Sequence, residues 1–256
     1  MNRRASSAPL LALSLLGLAS ANAEAETVDM RASPLAVTMN FELSSRYVWR
    51  GIVLNDEFVA QPNVALAFHG FSAGVWGSFD LTNYSQEHGG ADRKGEFSEV
   101  DISLGYSHGF KKLSLSVGVV RYQYPGSEVS STDDLNVGLV ANLPVAVSFG
   151  AWHALEDGGL YLVTGASHVF TLHARATLKL GAELGWADAT CADINYGVNS
   201  SGLTHVGLAL DVPLVVNDRF SVRPFVRGSS ILDSSFRDAA GSPDALAVGV
   251  GLDVVF

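Results

Sequence analysis

Cysteine is nearly absent: one residue, Cys191, in 256. A disulfide framework is excluded, and no ligand cluster surrounds that thiol, so neither zinc nor another metal is expected. Charge is also scarce. Only 16% of residues are charged, and 26 Asp plus Glu against 16 Lys plus Arg leave a formal net charge of −10. Such a chain has no basic face to neutralise phosphates, which argues against nucleic acid as a partner. Long hydrophobic runs are missing too: no stretch approaches the ~18 consecutive apolar residues of a membrane helix. What is present is 48% hydrophobic residues and 26 glycines. That apolar content excludes disorder, and the length suits one domain or at most two. A β-rich secreted protein and a membrane barrel both fit this balance.

The first residues address the chain. Arg3 and Arg4 precede an apolar stretch from Pro9 to Leu18, and Ser20-Ala21-Asn22-Ala23 supplies the small residues that a signal peptidase reads. This pattern predicts a secretory signal peptide over 1–23, cleaved after Ala23. The apolar run is too short to span a membrane, and no cysteine follows it to carry a lipid anchor. Removing Arg3 and Arg4 takes the charge to −10 − 2 = −12. A short periplasmic segment, 24–34, is expected before the first strand. Any membrane role then falls to strands.

From Val37 onward the chain alternates. Side chains on a strand point to opposite faces in turn, so a strand with one apolar face writes period two into the sequence. Val37, Met39, Phe41, Leu43, Tyr47 and Trp49 alternate with Thr38, Asn40, Glu42, Ser44 and Arg46. Between Leu172 and Trp186 the even positions are Leu, Ala or Trp, and the odd ones include His173, Arg175, Lys179 and Glu183. Soluble strands average five or six residues, whereas tilted strands crossing a bilayer need about nine to eleven. These runs are of the longer kind.

Counting them predicts an all-β, antiparallel transmembrane barrel of about twelve strands over 35–256. The runs are 35–50, 58–69, 71–82, 97–108, 113–124, 134–142, 145–155, 160–169, 171–186, 202–214, 219–231 and 244–256. Connections alternate in length: little more than Gly70, or Gly109 to Lys112, on one side, and Asn83 to Glu96 or Ala187 to Ser201 on the other. Short periplasmic turns and longer polar outer loops are the pattern of outer-membrane barrels. The aromatics Tyr47, Trp49, Trp186, Phe71 and Phe170 fall where a girdle would sit, although aromatics favour strands in any case. Trp76 and Trp152 fall on the inward face.

The last strand carries a further mark. Leu246, Val248, Val250, Leu252, Val254 and Phe256 form one apolar face ending in an aromatic, with Gly251 five places before it. Gly251, Val254 and Phe256 read as a signal for the barrel assembly machinery, because the closing strand must offer an apolar face and a free edge to strand one.

A resemblance joins these observations. Ser45-Arg46-Tyr47-Val48-Trp49-Arg50-Gly51-Ile52 ends the first run and Gln61-Pro62 opens the second. Phe71 to Ser78 forms the third, Glu99 and Asp101 precede Gly105-Tyr106, and Tyr122-Gln123-Tyr124-Pro125-Gly126 closes the fifth. Over roughly residues 36–126 this succession resembles the TorF-like porins, a family of bacterial outer-membrane proteins of poorly defined function. The resemblance implies an outer-membrane barrel and passive transport, and brings with it no substrate, cofactor or catalytic residue.

An enzyme would need a nucleophile, a base and an orienting group within hydrogen-bond reach. None of the seven histidines, His69, His88, His108, His153, His168, His173 and His205, stands beside a serine motif such as G-x-S-x-G. Lumen or turn roles are the expectation for them, and an unpaired loop thiol for Cys191. The acidic pairs Asp56-Glu57, Asp133-Asp134 and Glu156-Asp157 read as solvated loop charge, or at most weak calcium sites.

The functional expectation is a porin-like channel in the Gram-negative outer membrane, passing small polar or zwitterionic solutes by diffusion and contacting outer-membrane lipid. Barrel closure places Arg46 and Arg50 of the first run and Arg223 and Arg227 of the eleventh on one wall, separated by the small residues Ala245, Ala247, Gly249 and Gly251. Asp80, Glu99 and Asp101 fall on a wall farther round. Guanidiniums are always charged, and opposed charges across a narrow passage orient dipolar solutes. The alternative is that these groups pair directly and plug the barrel, leaving a structural or interaction protein. Twelve strands enclose an interior far narrower than that of the 16–18-stranded porins.

Overall fold

The computed structural model describes residues 35–256 apart from 89 and 91. The expected signal peptide and the segment 24–34 lie outside the described residues. From the start of the chain come β1 (Ala36–Ser44), a small hairpin of β2 (Tyr47–Trp49) and β3 (Ile52–Asn55), β4 (Val59–Phe68) and β5 (Phe71–Asp80). A helical turn α1 (Tyr84–Glu87) precedes β6 (Phe97–Phe110), β7 (Leu113–Gln123), β8 (Thr132–Ala141), β9 (Ala146–Ala154), β10 (Leu160–His173) and β11 (Ala176–Ala187). Helix α2 (Ala189–Tyr196), β12 (Gly202–Asp211), β13 (Leu214–Asn217), β14 (Phe220–Ile231), α3 (Ser234–Ala239) and β15 (Asp244–Val255) complete it.

All strands but β2 and β3 belong to one antiparallel sheet, in which each long strand pairs with the next and β15 returns to β1. The sheet is therefore a closed barrel of twelve crossings, with β12 and β13 sharing one. They are split at Val212-Pro213, where proline has no N–H to give the ladder. Closure removes every edge, and a barrel in lipid requires this because unpaired backbone groups there find no water.

Register assigns the two faces. Phe41 stands opposite Pro62 and Leu252, whereas Glu42 stands opposite Gln61 and Gly251. The apolar set points out: Leu104, Leu208 and Leu246 are each about three-fifths exposed. No helix is long and apolar enough to cross a membrane. The inward set is small or polar and mostly buried, including Thr38, Asn63, Ser103, Asn136 and Ala247.

Turns of 69–70, 111–112, 142–145, 174–175 and 218–219 share a rim with both ends of the sheet. The connections 45–58, 81–96, 124–131, 155–159, 188–201 and 232–243 share the other rim.

Four sequence expectations need correction. The first run does not continue to residue 50: β1 ends at Ser44, where the side chain donates to the Arg46 carbonyl at 2.7 Å and bends the chain inward. Tyr47 is consequently buried inside the barrel, away from any lipid girdle. The turn after β10 is at 174–175 rather than 170. Phe170 pairs with Leu178, so even residues face outward on both strands and the alternation passes through the turn unbroken. The long connections contain helices that no alternation could announce. Finally, Asp133 and Asp134 are not solvated loop charge: both lie within β8, and Asp134 is buried.

Candidate functional site: the lumen and its outer mouth

Two groups of polar side chains fill the inward face. The first lies toward the short-turn rim on the adjoining strands β11, β12, β14, β15 and β1. Arg223 donates to Asp211 and Glu42 at 2.9 Å and to Asp253 at 3.2 Å. Arg227 holds both oxygens of Glu42, at 2.9 and 3.0 Å, and its guanidinium lies 4.0 Å over the Phe225 ring. Asn40 bonds to Asp253, and Lys179 stands opposite Asp211 in register. Paired forks of this kind are the strong form of hydrogen bond. Three cations and three carboxylates here sum to zero charge, and they pair along one wall rather than across the passage.

Gly251 makes the first group fit. A Cβ built there would meet the Arg223 guanidinium at 2.7 Å. The small residues of β15 are thus the floor on which the arginines lie.

The second group lies at the long-loop rim and is organised by the β2–β3 hairpin. This hairpin has left the barrel sheet and forms a two-stranded sheet of its own. Its loop is the two residues Arg50 and Gly51, at φ 50° and 86°. Positive φ at both positions is the type I′ geometry that matches strand twist, and Gly takes it without cost. The tip crosses the mouth. Arg50 is rooted between β1 and β4, yet donates to Asp134 on β8 at 3.3 Å. Its guanidinium lies 4.1 Å from the Tyr161 ring, 4.4 Å from Trp49 and 5.9 Å from Trp152. A Cβ on Gly51 would meet the Cβ of His205 on β12 at 2.7 Å. At the root of the hairpin Tyr47 donates to Glu99 at 2.8 Å and its ring packs 5.6 Å from Trp76.

The loops close over this tip. Helix α2 starts at Asp188, whose carboxylate accepts from the Cys191 N–H at 2.8 Å, and stops at Gly197 with φ 69°. Asp233 caps α3 by accepting from the Ser235 hydroxyl and, at 2.9 Å, from the Ser235 N–H, and these bonds, the hydroxyl's first, hold its carboxyl below the usual range. Between the two helices Tyr196 packs on Phe236, 4.9 Å apart. Both join an apolar cluster with Ile231, Val198, Cys191 and Trp152, against which Ile52 of the hairpin packs. Phe236 is wholly buried, worth about 1.5–3 kcal/mol. The Tyr196 hydroxyl donates to the Arg50 carbonyl at 2.8 Å, tying helix to hairpin.

The residues singled out from sequence therefore separate. Arg223 and Arg227 lie together on the expected wall. Asp80, Glu99 and Asp101 lie on β5 and β6, with Asp80 held by the Ser98 hydroxyl at 3.0 Å. Arg46 and Arg50 do not extend the arginine wall: Arg46 pairs with Asp56 at the rim, one-third exposed, and Arg50 crosses to the far side. Gly251, Val254 and Phe256 lie on or next to β15, where Phe256 N–H donates to Val37 at 2.9 Å. Sequence reasoning missed Glu42, Asp211 and Asp253 as partners of the arginines, and Asp134, Trp152 and Tyr161 as those of Arg50. Glu42, Asp253 and Trp152 were legible as inward by alternation; which residue each would meet needed the closed ring.

His205 is buried between Glu183, at 3.0 Å, and Thr204, at 3.1 Å. The order hydroxyl–imidazole–carboxylate is that of a hydrolase, but Thr204 has no exposed surface. A hydroxyl with no access to substrate serves as a structural partner. Among the described residues no group of three or more metal-ligating side chains is assembled.

With this geometry in hand, comparison with known proteins is informative about the fold. A family model described as a bacterial protein of unknown function matches residues 29–155, the stretch containing the motifs of 36–126. No curated protein sequence matches. An outer membrane channel from Pseudomonas putida F1 is similar at TM-score 0.54 and 10% identity, over 91% of this chain and 100% of that one. The KdgM porin in complex with disordered oligogalacturonate is similar at TM-score 0.53 and 11% identity, over 86% and 99%. At these identities the likeness is one of fold: a closed twelve-stranded barrel of the outer-membrane porin kind.

Proposed function

We propose that this chain is an outer-membrane channel of the TorF-like kind, passing small polar or zwitterionic solutes by diffusion, with the β2–β3 hairpin as its constriction. The observation that carries this reading is the pairing of the lumen charges along one wall. Had Arg223 and Arg227 met carboxylates on the opposite wall, they would bar the passage. Their partners instead lie on the adjacent strands β12 and β15 and on β1, one strand farther, so the lower lumen is lined rather than bridged. Local neutralisation also weakens the transverse field expected from two opposed walls. What bridges the barrel is the hairpin tip, a separate element without a ladder to the wall.

One observation favours a closed, structural barrel: Arg50, α2 and α3 together cover the mouth. The two readings separate in liposomes. Vesicles carrying the purified protein are expected to swell in isosmotic glycine or arabinose and to exclude large oligosaccharides. Swelling no faster than protein-free vesicles would overturn the channel.

A further inference from the structure

We propose that the seat of Arg50 is a binding site for a small solute bearing a guanidinium or alkylammonium group, which enters from the long-loop side and displaces the hairpin tip. The inference deepens the channel reading and rests on it for the direction of entry. The parts of the seat belong to the barrel wall. Asp134 on β8 accepts from the guanidinium, and the Tyr122 hydroxyl donates to the same carboxylate at 3.4 Å. Tyr161 on β10 and Trp152 on β9 offer ring faces at 4.1 and 5.9 Å. Only Trp49 travels with the hairpin. Withdrawal of the tip therefore leaves a carboxylate flanked by two aromatic faces, an arrangement that attracts cations through charge and ring quadrupole together.

Two further observations support an exchangeable occupant. The surroundings carry more negative charge than Arg50 supplies positive, even with one proton shared between the adjacent carboxyls of Glu99 and Asp101: both are buried near Asp134 and Arg50, and one oxygen of Asp101 has no hydrogen-bond partner. An arriving cation meets a favourable potential and an anion an unfavourable one. The hairpin itself is held by side-chain contacts, through Tyr47, Ile52 and the Tyr196 bond to the Arg50 carbonyl, and by no ladder to the barrel wall. A two-stranded ribbon is marginal alone, and this one lies outside the barrel ladder. Its tip residue is a non-glycine at φ 50°, a backbone state that L side chains adopt at a cost. Arg50 is thus the chain's own ligand in a cation cage.

The test is calorimetric titration of the purified full chain in detergent with ethylguanidinium, and with neutral ethylurea as control. Arg50→Asn empties the cage while creating Asn-Gly, the pair that type I′ turns favour. Heat-modifiable migration on a denaturing gel checks that each variant is folded. Arg50→Asn is expected to bind one ethylguanidinium and no ethylurea. Wild type is expected to bind about tenfold more weakly, because a tethered competitor acts at an effective concentration on the order of millimolar. Adding Asp134→Asn to the first variant is expected to weaken binding at least about tenfold, since it removes the charge that pairs with the guanidinium. Equal affinity with and without Asp134, equal binding of ethylurea, or no binding of ethylguanidinium overturns the proposal. Wild type against Asp134→Asn makes the same comparison at lower affinity and does not depend on the folding of Arg50→Asn. Binding in detergent involves no passage. A barrel that binds without conducting therefore contradicts the channel reading alone, and one that conducts without binding contradicts the cage alone.

Discussion

Arg50 and Asp134 form an ion pair at 3.3 Å although the hairpin bearing one is rooted across the barrel from the strand bearing the other, and both side chains are less than a tenth exposed. Removing one partner of a buried pair costs about 3–5 kcal/mol if the other stays in place. The hairpin has an alternative: it can leave. Asp134→Ala is therefore expected to release the tip while the barrel remains assembled. Single-channel records should show longer open dwell times than wild type. Unfolding of the barrel, with loss of heat-modifiable migration, would mean that the pair supports the fold instead.

Cys191 reports on the same event. Its thiol is buried in α2, within the apolar cluster against which Ile52 of the hairpin packs, and burial pushes its pKa above the ordinary value. The thiolate is the nucleophile, so alkylation of wild type by a maleimide should be slow at pH 7 and should accelerate as pH rises. Gly51→Ala places a methyl group 2.7 Å from the His205 Cβ at a φ that alanine resists. This substitution should expose Cys191 and raise the alkylation rate about tenfold or more. An unchanged rate would show that the tip does not cover the thiol.

Ion selectivity is expected to follow the lower lumen and not the rim. Glu42→Gln leaves Arg223 and Arg227 one carboxylate short, so reversal potentials in a salt gradient should move toward anion preference. Arg46→Glu, at a partly exposed pair with Asp56, should leave them unchanged because such pairs are screened. A larger shift from Arg46→Glu would mean that the permeant path runs along the rim.

Leu208 faces outward and is 62% exposed. Arginine there should cost about 2–4 kcal/mol near the bilayer midplane, read as a lower folded fraction in a urea gradient with lipid vesicles. Deleting Phe256 should reduce insertion by removing the partner of Val37 at the closing seam. Wild-type folding of the Leu208→Arg protein would place that face away from lipid.

The barrel was legible because it is local: Ala245 to Phe256 and Leu178 to Trp186 write their two faces at every second residue. Facing follows from that same rule, so Arg223, Arg227, Glu99 and Asp101 could be placed inside from sequence. Partners across the ring could not. Asp211 meets Arg223 only because β12 and β14 are neighbours, and nothing local in Asp134 points to a residue 84 positions earlier. The hairpin was hidden for a different reason. Tyr47 and Trp49 continue the alternation of β1, so period two hides the inward bend after Ser44. The one local hint is Gly51, because glycine suits the second position of a type I′ turn, and arginine in place of the usual Asn, Asp or Gly before it makes that hint weak.

The most direct test replaces residues 47–55 with a short Gly-Ser linker and compares single-channel conductance with wild type in planar bilayers. A hairpin that forms the constriction predicts a conductance several-fold larger in the variant, with fewer closures. Conductance equal to that of wild type would place the constriction elsewhere and contradict the account.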